Sequence, residues 1–474
     1  MQLRHLTLTH IRAFSHAEIT FQPGMNLIVG INGVGKSTIL DTLRILLSQA
    51  LPQFSPSRSK PLTFADADIN VTQNVLTAEL TLELTLELTL YQFSVTLHRI
   101  FSLSGLGFSR MFSMQLYIKL VLELALELAK LECRYLVHQP RFLYSATSTP
   151  TDEIRDQAYE NVDRRILTPN GKEIQKSLKN AAQQPLAIYF SPRRALANIS
   201  TKFITHGKNA AFADALDHRE LRLMEFADWW LAQTVLAAEN APNAQRHLDV
   251  LASALSSIID TCTHIRVQRE TFDYLDKQGK STSQTNTTLL IDKAGVPLDL
   301  RQLSDGERGI LALVLDLARR LSQANPHLAD PLQAAAVVLI DELDLHLHPQ
   351  WQRTIVTKLT TTFPNCQFIA TTHSPLIIGE VAPENIILIA EDGEIIHPDQ
   401  SLGMDTDWIL KYIMGATTRN RETEDALKQI ANLIKTEDYD QAIDAIDTLR
   451  EKVGEFPELV RLQTRVDRLQ MLAE

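Results

Sequence analysis

Eight residues near the amino terminus, Gly30-Ile31-Asn32-Gly33-Val34-Gly35-Lys36-Ser37, have the types and spacing to hold a phosphate chain. An apolar run over residues 25–29 precedes them and residues 38–47 follow, which reads as strand, glycine loop and helix. Glycines let successive backbone N–H groups turn toward one centre at a helix N-terminus, where an anion is stabilised. Lys36 would reach the outer phosphates of a nucleotide, and the Ser37 hydroxyl would ligate Mg²⁺. Asn32, Gly33, Gly35 and Thr38 complete the cradle. A second set stands far downstream. Leu303-Ser304-Asp305-Gly306-Glu307-Arg308 opens an apolar helical run over residues 310–321. The buried-strand pattern of residues 334–340 ends in Asp341-Glu342 and continues as Leu343-Asp344-Leu345-His346-Leu347-His348-Pro349. Another apolar strand, residues 367–370, ends in Thr371-Thr372-His373-Ser374-Pro375.

This ordered set resembles the ATP-binding-cassette class of ATPase heads, a phosphate-loop α/β fold that takes ATP and Mg²⁺. Members of the class work as sandwiches, the loop of one subunit and the Ser-x-Gly signature of the other enclosing the same ATP. Hydrolysis needs a metal, a positioned water and charge stabilisation on the transferring phosphoryl group. The resemblance implies that Asp341 holds Mg²⁺ with Ser37, directly or through water, and that Glu342 orients and deprotonates the attacking water. His373 would contact the γ-phosphate. Ser304 and Gly306 would close the site from the other subunit, and Asp344 would couple the two sites at the subunit boundary. In SMC- and RecF-like heads an arginine placed like Arg12, between the first two strands, often helps hold phosphates; a solvated surface arginine is the plainer alternative. Gln92 and Gln139 are both candidates for the glutamine that senses Mg²⁺ and water.

Two other constellations have plainer readings. His346 and His348 suggest a metal pair, but no third ligand is placed by the sequence, and in the resembling families this segment is an intersubunit loop. Asp405-x-Asp407 is similar to the acidic pair of a nuclease module that some related ATPases carry. It follows His373 too soon and no glutamate-bearing strand precedes it, so it reads as a turn.

The resemblance narrows on Asp341 through Arg353, on Phe363-Pro364-Asn365-Cys366-Gln367-Phe368, and on the tail from Ser401-Leu402-Gly403-Met404-Asp405 to Leu459-Val460-Arg461. These are similar to stand-alone defence ATPases, above all the ATPase subunit of Septu-type anti-phage systems, also found beside some retrons. The match covers residues 1–48 and 186–474, whereas residues 52–150 depart from it. It implies a homodimer or larger assembly that binds a separate HNH nuclease and restrains or licenses it by nucleotide state, with DNA or a retron nucleic acid as a further partner. The alternative is a RecF-like ATPase of DNA repair or DNA ends, which a continuous basic stripe would favour. A transporter subunit is disfavoured by the His-x-His-Pro segment and the helical tail.

The chain of 474 residues has 45% hydrophobic and 22% charged residues, ordinary for a globular protein. Its net charge of −11 argues against a global basic field for nucleic acid. Cys133, Cys262 and Cys366 are too scattered for a disulfide framework or a CxxC metal site. No leader pattern opens the chain, and the apolar stretch 111–129 is interrupted by Lys119, Glu123 and Glu127. The expectation is a cytoplasmic protein that does not cross a membrane.

The elements that must position these residues follow from periodicity. Residues 2–9 and 17–21 read as strands ahead of the Pro23-Gly24 turn. Residues 52–74 look like an exposed loop. From residue 78 to 90, Leu80, Leu82, Leu84, Leu86, Leu88 and Leu90 face one way and Thr and Glu the other, one half-buried antiparallel strand of weak register. Residues 120–128, after the Gly105/Gly107 turn, are a partner strand or a short helix. Residues 150–266 are mostly helical around an apolar strand at 186–190, without the sustained heptads of a coiled-coil arm. Residues 273–288 are a polar loop or hairpin tip before a strand at 288–292. After residue 423 three amphipathic stripes follow, on Ala426 to Ile434, Ala442 to Val453 and Leu459 to Leu469, with Gly454 as a helix cap. The organisation expected is the first part of the head with loop and antiparallel layer (1–150), a helical lobe (151–266), the second part of the head (267–400) and a helical docking or capping module (401–474).

Overall fold

A computed structural model of the chain describes residues 1–57, 61–70, 72–73, 75–86, 89–102, 111–123, 131–136, 179, 183–192, 208–217, 223–259, 261–275 and 281–473. Strands β1 (Gln2–Ile11) and β2 (Phe14–Thr20) form an antiparallel hairpin. Strand β3 (Met25–Gly30) then leads into the loop and the helix Lys36–Phe54. Strands β4 (Val75–Leu86), β5 (Thr89–Ser102), β6 (Met111–Glu123) and β7 (Leu131–Leu136) extend the first hairpin into a six-stranded antiparallel sheet of order β2-β1-β4-β5-β6-β7.

The second sheet is the one that matters for chemistry. Strands β8 (Leu186–Phe190), β12 (Ala336–Ile340), β13 (Cys366–Thr371), β3 and β14 (Ile386–Ile389) lie parallel, and the short β15 (Ile395–Ile396) pairs antiparallel with β14. Every residue of β3, β8, β12 and β13 is buried, the continuous apolar pattern of parallel strands covered on both faces. Strands β9 (Cys262–Leu275), β10 (Ser281–Lys293) and β11 (Val296–Asp299), which fall between β8 and β12 in the chain, form a separate three-stranded antiparallel sheet.

The helix after the loop is clamped between the two large sheets. Its Ile39, Leu43, Leu46 and Leu47 share one core with Leu6, Leu80 and Leu82 of the antiparallel sheet and with Ile28, Leu339 and Ile369 of the parallel one. Gln367 staples the sheets together: its side chain accepts from Leu3 N at 2.7 Å and donates to Leu3 O at 3.0 Å and Gln22 O at 2.9 Å. A buried carboxamide with both ends satisfied holds its position without an unpaired polar penalty.

Several sequence expectations change. The Thr-Leu-Glu run is two strands, because β4 ends at Leu86 and Leu86 pairs with Thr89 of β5. Its register is set by a bulge between Leu3 and His5 on β1 and by that hairpin end. Residues 52–74 are no simple exposed loop: the helix runs through Pro52 to Phe54, and Phe64, Asp68 and Ile69 are buried. Residues 111–123 are strand, and residues 124–130 lie outside the described residues. The expected 151–266 lobe contains β8, which edges the parallel sheet beside β12, so that stretch contributes to the head itself. Of the two readings of 273–288, the hairpin holds over the loop: β9 and β10 pair from Cys262/Lys293 out to Leu275/Ser281, so strand takes up residues 273–275 and 281–288. Among the described residues no helix is long and apolar enough to cross a membrane.

The chain divides into two compact units, Met1–Gly403 and Met404–Glu474. Ser401 and Gly403 belong to the first, donating to Val381 O at 2.6 Å and Gly379 O at 2.9 Å. The second unit begins with the short helix Thr406–Tyr412, whose N-cap is Asp405, accepting from Trp408 N at 2.7 Å. The helices Arg421–Lys435, Tyr439–Val453 and Pro457–Ala473 follow, the second capped by Gly454. Their three stripes are buried against one another in a core of their own, centred on Ile430, Ala442, Ile446, Leu459 and Val466.

Candidate functional site

The loop, the Asp-Glu pair and the histidine meet at the carboxyl ends of β3, β12 and β13, where open parallel sheets present their crevice. A cleft of about 260 Å³ is lined there by Asn32, Gly33, Gly35, Lys36, Ser37, Thr38, Asp341, Glu342, Thr371 and His373. Nine of these ten were candidates from sequence, brought together across more than 300 residues of chain.

The loop is shaped by close approach. Gly35 sits at φ 113° with the Phe14 ring against it, and a Cβ there would lie 2.6 Å from that ring. Only glycine fits, and Phe14 thereby fixes the start of the helix. Lys36 is buried, its ammonium donating to Gly30 O at 2.9 Å and Ile31 O at 2.6 Å. Burial holds that ammonium below the usual lysine range, while Asp341, Glu342 and Asp344 pull the other way.

Asp341 and Glu342 are set by β13. Thr371 Oγ1 donates to Asp341 Oδ1 at 2.7 Å and accepts from Glu342 N at 2.7 Å. Asp341 N donates to Phe190 O at 2.9 Å, so β8 also fixes this turn. Glu342 stands at φ 52°, a left-handed conformation costing about 1–3 kcal/mol, a cost usually met where function fixes the backbone. Ser37 Oγ lies 3.4–3.5 Å from the two Asp341 oxygens. Oxygens so spaced can share one hard cation at about 2.0–2.1 Å with little adjustment, so a hydroxyl and a carboxylate here fit Mg²⁺.

Four candidates, Arg12, Asp344, Ser304 and Gly306, lie outside the cleft lining. Arg12, at φ 48°, gives Nε to Asp68 at 2.8 Å and Nη1 to Asp41 at 3.2 Å and Thr38 at 3.3 Å. Its charge is committed to carboxylates beside the helix start, an arrangement that braces the loop from behind. Asp344 accepts from Thr372 Oγ1 at 2.7 Å and His373 N at 3.1 Å, and so positions the histidine backbone. Ser304, exposed, is the N-cap of the helix Asp305–Ala324 and forms a capping box with Glu307. Gly306 is buried: a Cβ there would meet His346 O at 2.3 Å, so the start of this helix packs directly on the turn that follows Glu342.

The remaining candidates separate cleanly. His348 is the N-cap of Pro349–Thr362, Nδ1 accepting from Gln350 N at 3.3 Å, and no group of three metal-ligating side chains occurs among the described residues. Gln92 pairs in backbone register with Glu83 of β4 and Val121 of β6. Gln139 lies outside the described residues. Thr371 and Thr372 escaped the sequence reading because threonine at a strand end is ordinary β-propensity. The signal was two hydroxyls directly before the histidine.

Fold and cleft together define a phosphate-loop ATPase head with an antiparallel layer. The chain belongs to the AAA family: the model described as "AAA domain, putative AbiEii toxin, Type IV TA system" matches residues 140–379, and one described as "AAA domain" matches residues 5–205. The chain is 36% identical over 194 residues to the Retron Ec83 probable ATPase of Escherichia coli, which covers 40% of this chain and 33% of that protein. It is 28% identical over 408 residues to the Retron Vc95 probable ATPase of Vibrio cholerae, covering 82% of this chain and 74% of that one. A Septu protein PtuA of Bacillus mycoides is 39% identical over 95 residues, 20% of this chain and 13% of its own length. An SMC head domain from Thermotoga maritima superposes over 84% of this chain and all of its own at TM-score 0.37 and 15% identity, too loosely to add to the topology.

Proposed function

We propose that this chain is an ATP-binding and ATP-hydrolysing switch subunit of an anti-phage defence complex, acting as a homodimer or larger assembly and controlling a separate nuclease of the HNH kind. The observation that carries the chemistry is the single cleft in which Lys36, Ser37, Asp341, Glu342 and His373 converge. The names of the retron and Septu relatives carry the setting. In this reading Lys36 and the loop N–H groups hold the phosphates, and Asp341 and Ser37 hold Mg²⁺, which would neutralise phosphate charge. Glu342 takes the proton of the attacking water, and His373 meets the γ-phosphate. Ser304, at an exposed helix start, serves the site of a neighbouring copy.

Purified protein should hydrolyse ATP in the presence of Mg²⁺. Lys36→Ala should lose binding or turnover, because the fixed cation against the β- and γ-phosphates is gone. Glu342→Gln should bind ATP yet turn over roughly 10²–10⁴-fold more slowly, the usual worth of a general base. Normal turnover by both variants would sink the assignment of this cleft. The defence setting is tested separately, by co-purification with the product of the adjacent gene and by loss of phage protection in the Glu342→Gln strain.

A further inference from the structure

The hydroxyl of Ser304 is already engaged. Ser304 Oγ donates to Glu307 Oε2 at 3.0 Å, Ser304 N donates to the same oxygen at 3.1 Å, and Glu307 N returns a bond to Ser304 Oγ at 3.3 Å. A serine whose proton points at a carboxylate cannot offer that proton to a phosphate until the carboxylate yields it. An ionised glutamate about 3 Å away also repels an incoming triphosphate.

The other oxygen of Glu307 has a partner of its own. Oε1 accepts from the ammonium of Lys293, a half-buried ion pair. Lys293 is the last residue of β10 and precedes the turn Ala294-Gly295, both at positive φ (50° and 80°), which reverses the chain into β11. From β11 a capped 3-10 turn, Leu300–Gln302, runs directly into Ser304. Lys293 is therefore held by the sheet against a carboxylate held by the helix, with Ser304 between them in sequence. Cys262, its partner in the β9–β10 register, is buried beside it.

We infer that Lys293 is a positioning residue for the signature serine: by pairing with Glu307 it takes up that carboxylate's charge and weakens its hold on Ser304, so that an arriving phosphate can draw the serine proton to itself. This rests on the reading of Ser304 as a ligand to ATP held by a second copy. With Lys293 in place, Glu307 is a weaker acceptor toward Ser304 and presents little net charge to the nucleotide. Without it, the same carboxylate would hold the serine proton more tightly and repel the phosphate. Burial alone would raise the Glu307 carboxyl, but the bonds from Lys293 and Ser304 outweigh it and hold the group below the ordinary glutamate range.

The test is a charge cycle on the full chain, with wild type and Lys36→Ala as references. Lys293→Met should lower kcat for ATP about 10–100-fold, the usual cost of removing a group that orients a ligand. Nucleotide binding by the loop should stay within about twofold, a split between binding and turnover that a general loss of fold does not give. Lys293→Arg should restore turnover. The decisive variant is Lys293→Met with Glu307→Gln, which keeps an acceptor for Ser304 N but removes the uncompensated charge; turnover should recover toward that of Glu307→Gln alone. Unchanged kcat in Lys293→Met overturns the inference. So does a loss that Glu307→Gln fails to relieve, because Lys293 would then serve only the fold. Should Lys293→Met be insoluble, a Lys293→Gln/Glu307→Gln protein no more active than Lys293→Gln decides the matter the same way. If wild type itself does not turn over ATP, the ATPase reading falls, and this inference with it.

Discussion

Thr371 is the residue through which the cleft is aligned. Its hydroxyl is shared between the carboxylate read as the metal ligand and the backbone N–H of the residue read as the base. Valine has nearly the same shape and neither bond. Thr371→Val removes the 2.7 Å bonds that Thr371 makes to Asp341 Oδ1 and to Glu342 N, while Glu342 keeps a strained φ of 52°. Loss of such a supporting group commonly costs 10- to 100-fold in activity or metal affinity, and that is the expected size here for ATPase rate and for the Mg²⁺ concentration at half-activity. Thr371→Ser retains the hydroxyl and should stay near wild type. Equal rates for the Val and Ser variants would show that the turn holds itself. Cys366, five residues earlier on the same strand, is a contrasting case: it is fully buried, and burial pushes its thiol up to about 12. It should resist alkylation at pH 8 in the native protein and react only after unfolding.

At the scale of elements, the helix Asp305–Ala324 depends on its capping box. Glu307 titrates below its ordinary value of 4.5, so the folded state binds its proton less readily than the unfolded chain. The stability this supplies is fully present above pH 4.5 and is lost as pH falls through the lower folded value. Glu307→Gln keeps the bond to Ser304 N but cannot titrate, so the two proteins should differ by about 0.3–1 kcal/mol at neutral pH. The gap should close in acid, and thermal melts between pH 7 and pH 3 read it directly. A gap that is constant with pH would mean that the carboxylate charge contributes nothing. The same scale shows what was legible beforehand. The loop, the Asp-Glu pair and the histidine could be read because each ends a run of buried strand residues, and such runs stand out from their surroundings. The break between Leu86 and Thr89 could not, because the repeat Thr-Leu-Glu-Leu continues across it with no glycine or proline to mark a turn. Strand β8 was visible as an apolar run, yet its place beside β12 depends on a contact about 150 residues away that no local pattern encodes.

At the scale of the whole molecule, the question is whether residues 404–474 belong to the ATPase or to something it serves. Their apolar stripes argue for neither by themselves, since each is buried against the other two helices, with Ile430, Ala442, Ile446, Leu459 and Val466 inside. What the packing does establish is a core separate from that of the head. Ser401 and Gly403 are bonded into the head, so the natural cut lies before Met404 and not at the start of the Arg421–Lys435 helix. A cut at residue 421 would leave the helix Thr406–Tyr412 on the head without the unit it belongs to. Protein ending at Gly403 should remain soluble and retain ATP binding and basal hydrolysis. Residues 404–474 made alone should be helical and melt cooperatively, with the marginal stability of so small a domain, a few kcal/mol at most. If the unit docks the partner, the truncated head should also lose co-purification with the neighbouring gene product while its ATPase persists. Loss of ATPase on truncation would make the helices a part of the catalytic body, and retained partner binding would move the docking surface onto the head.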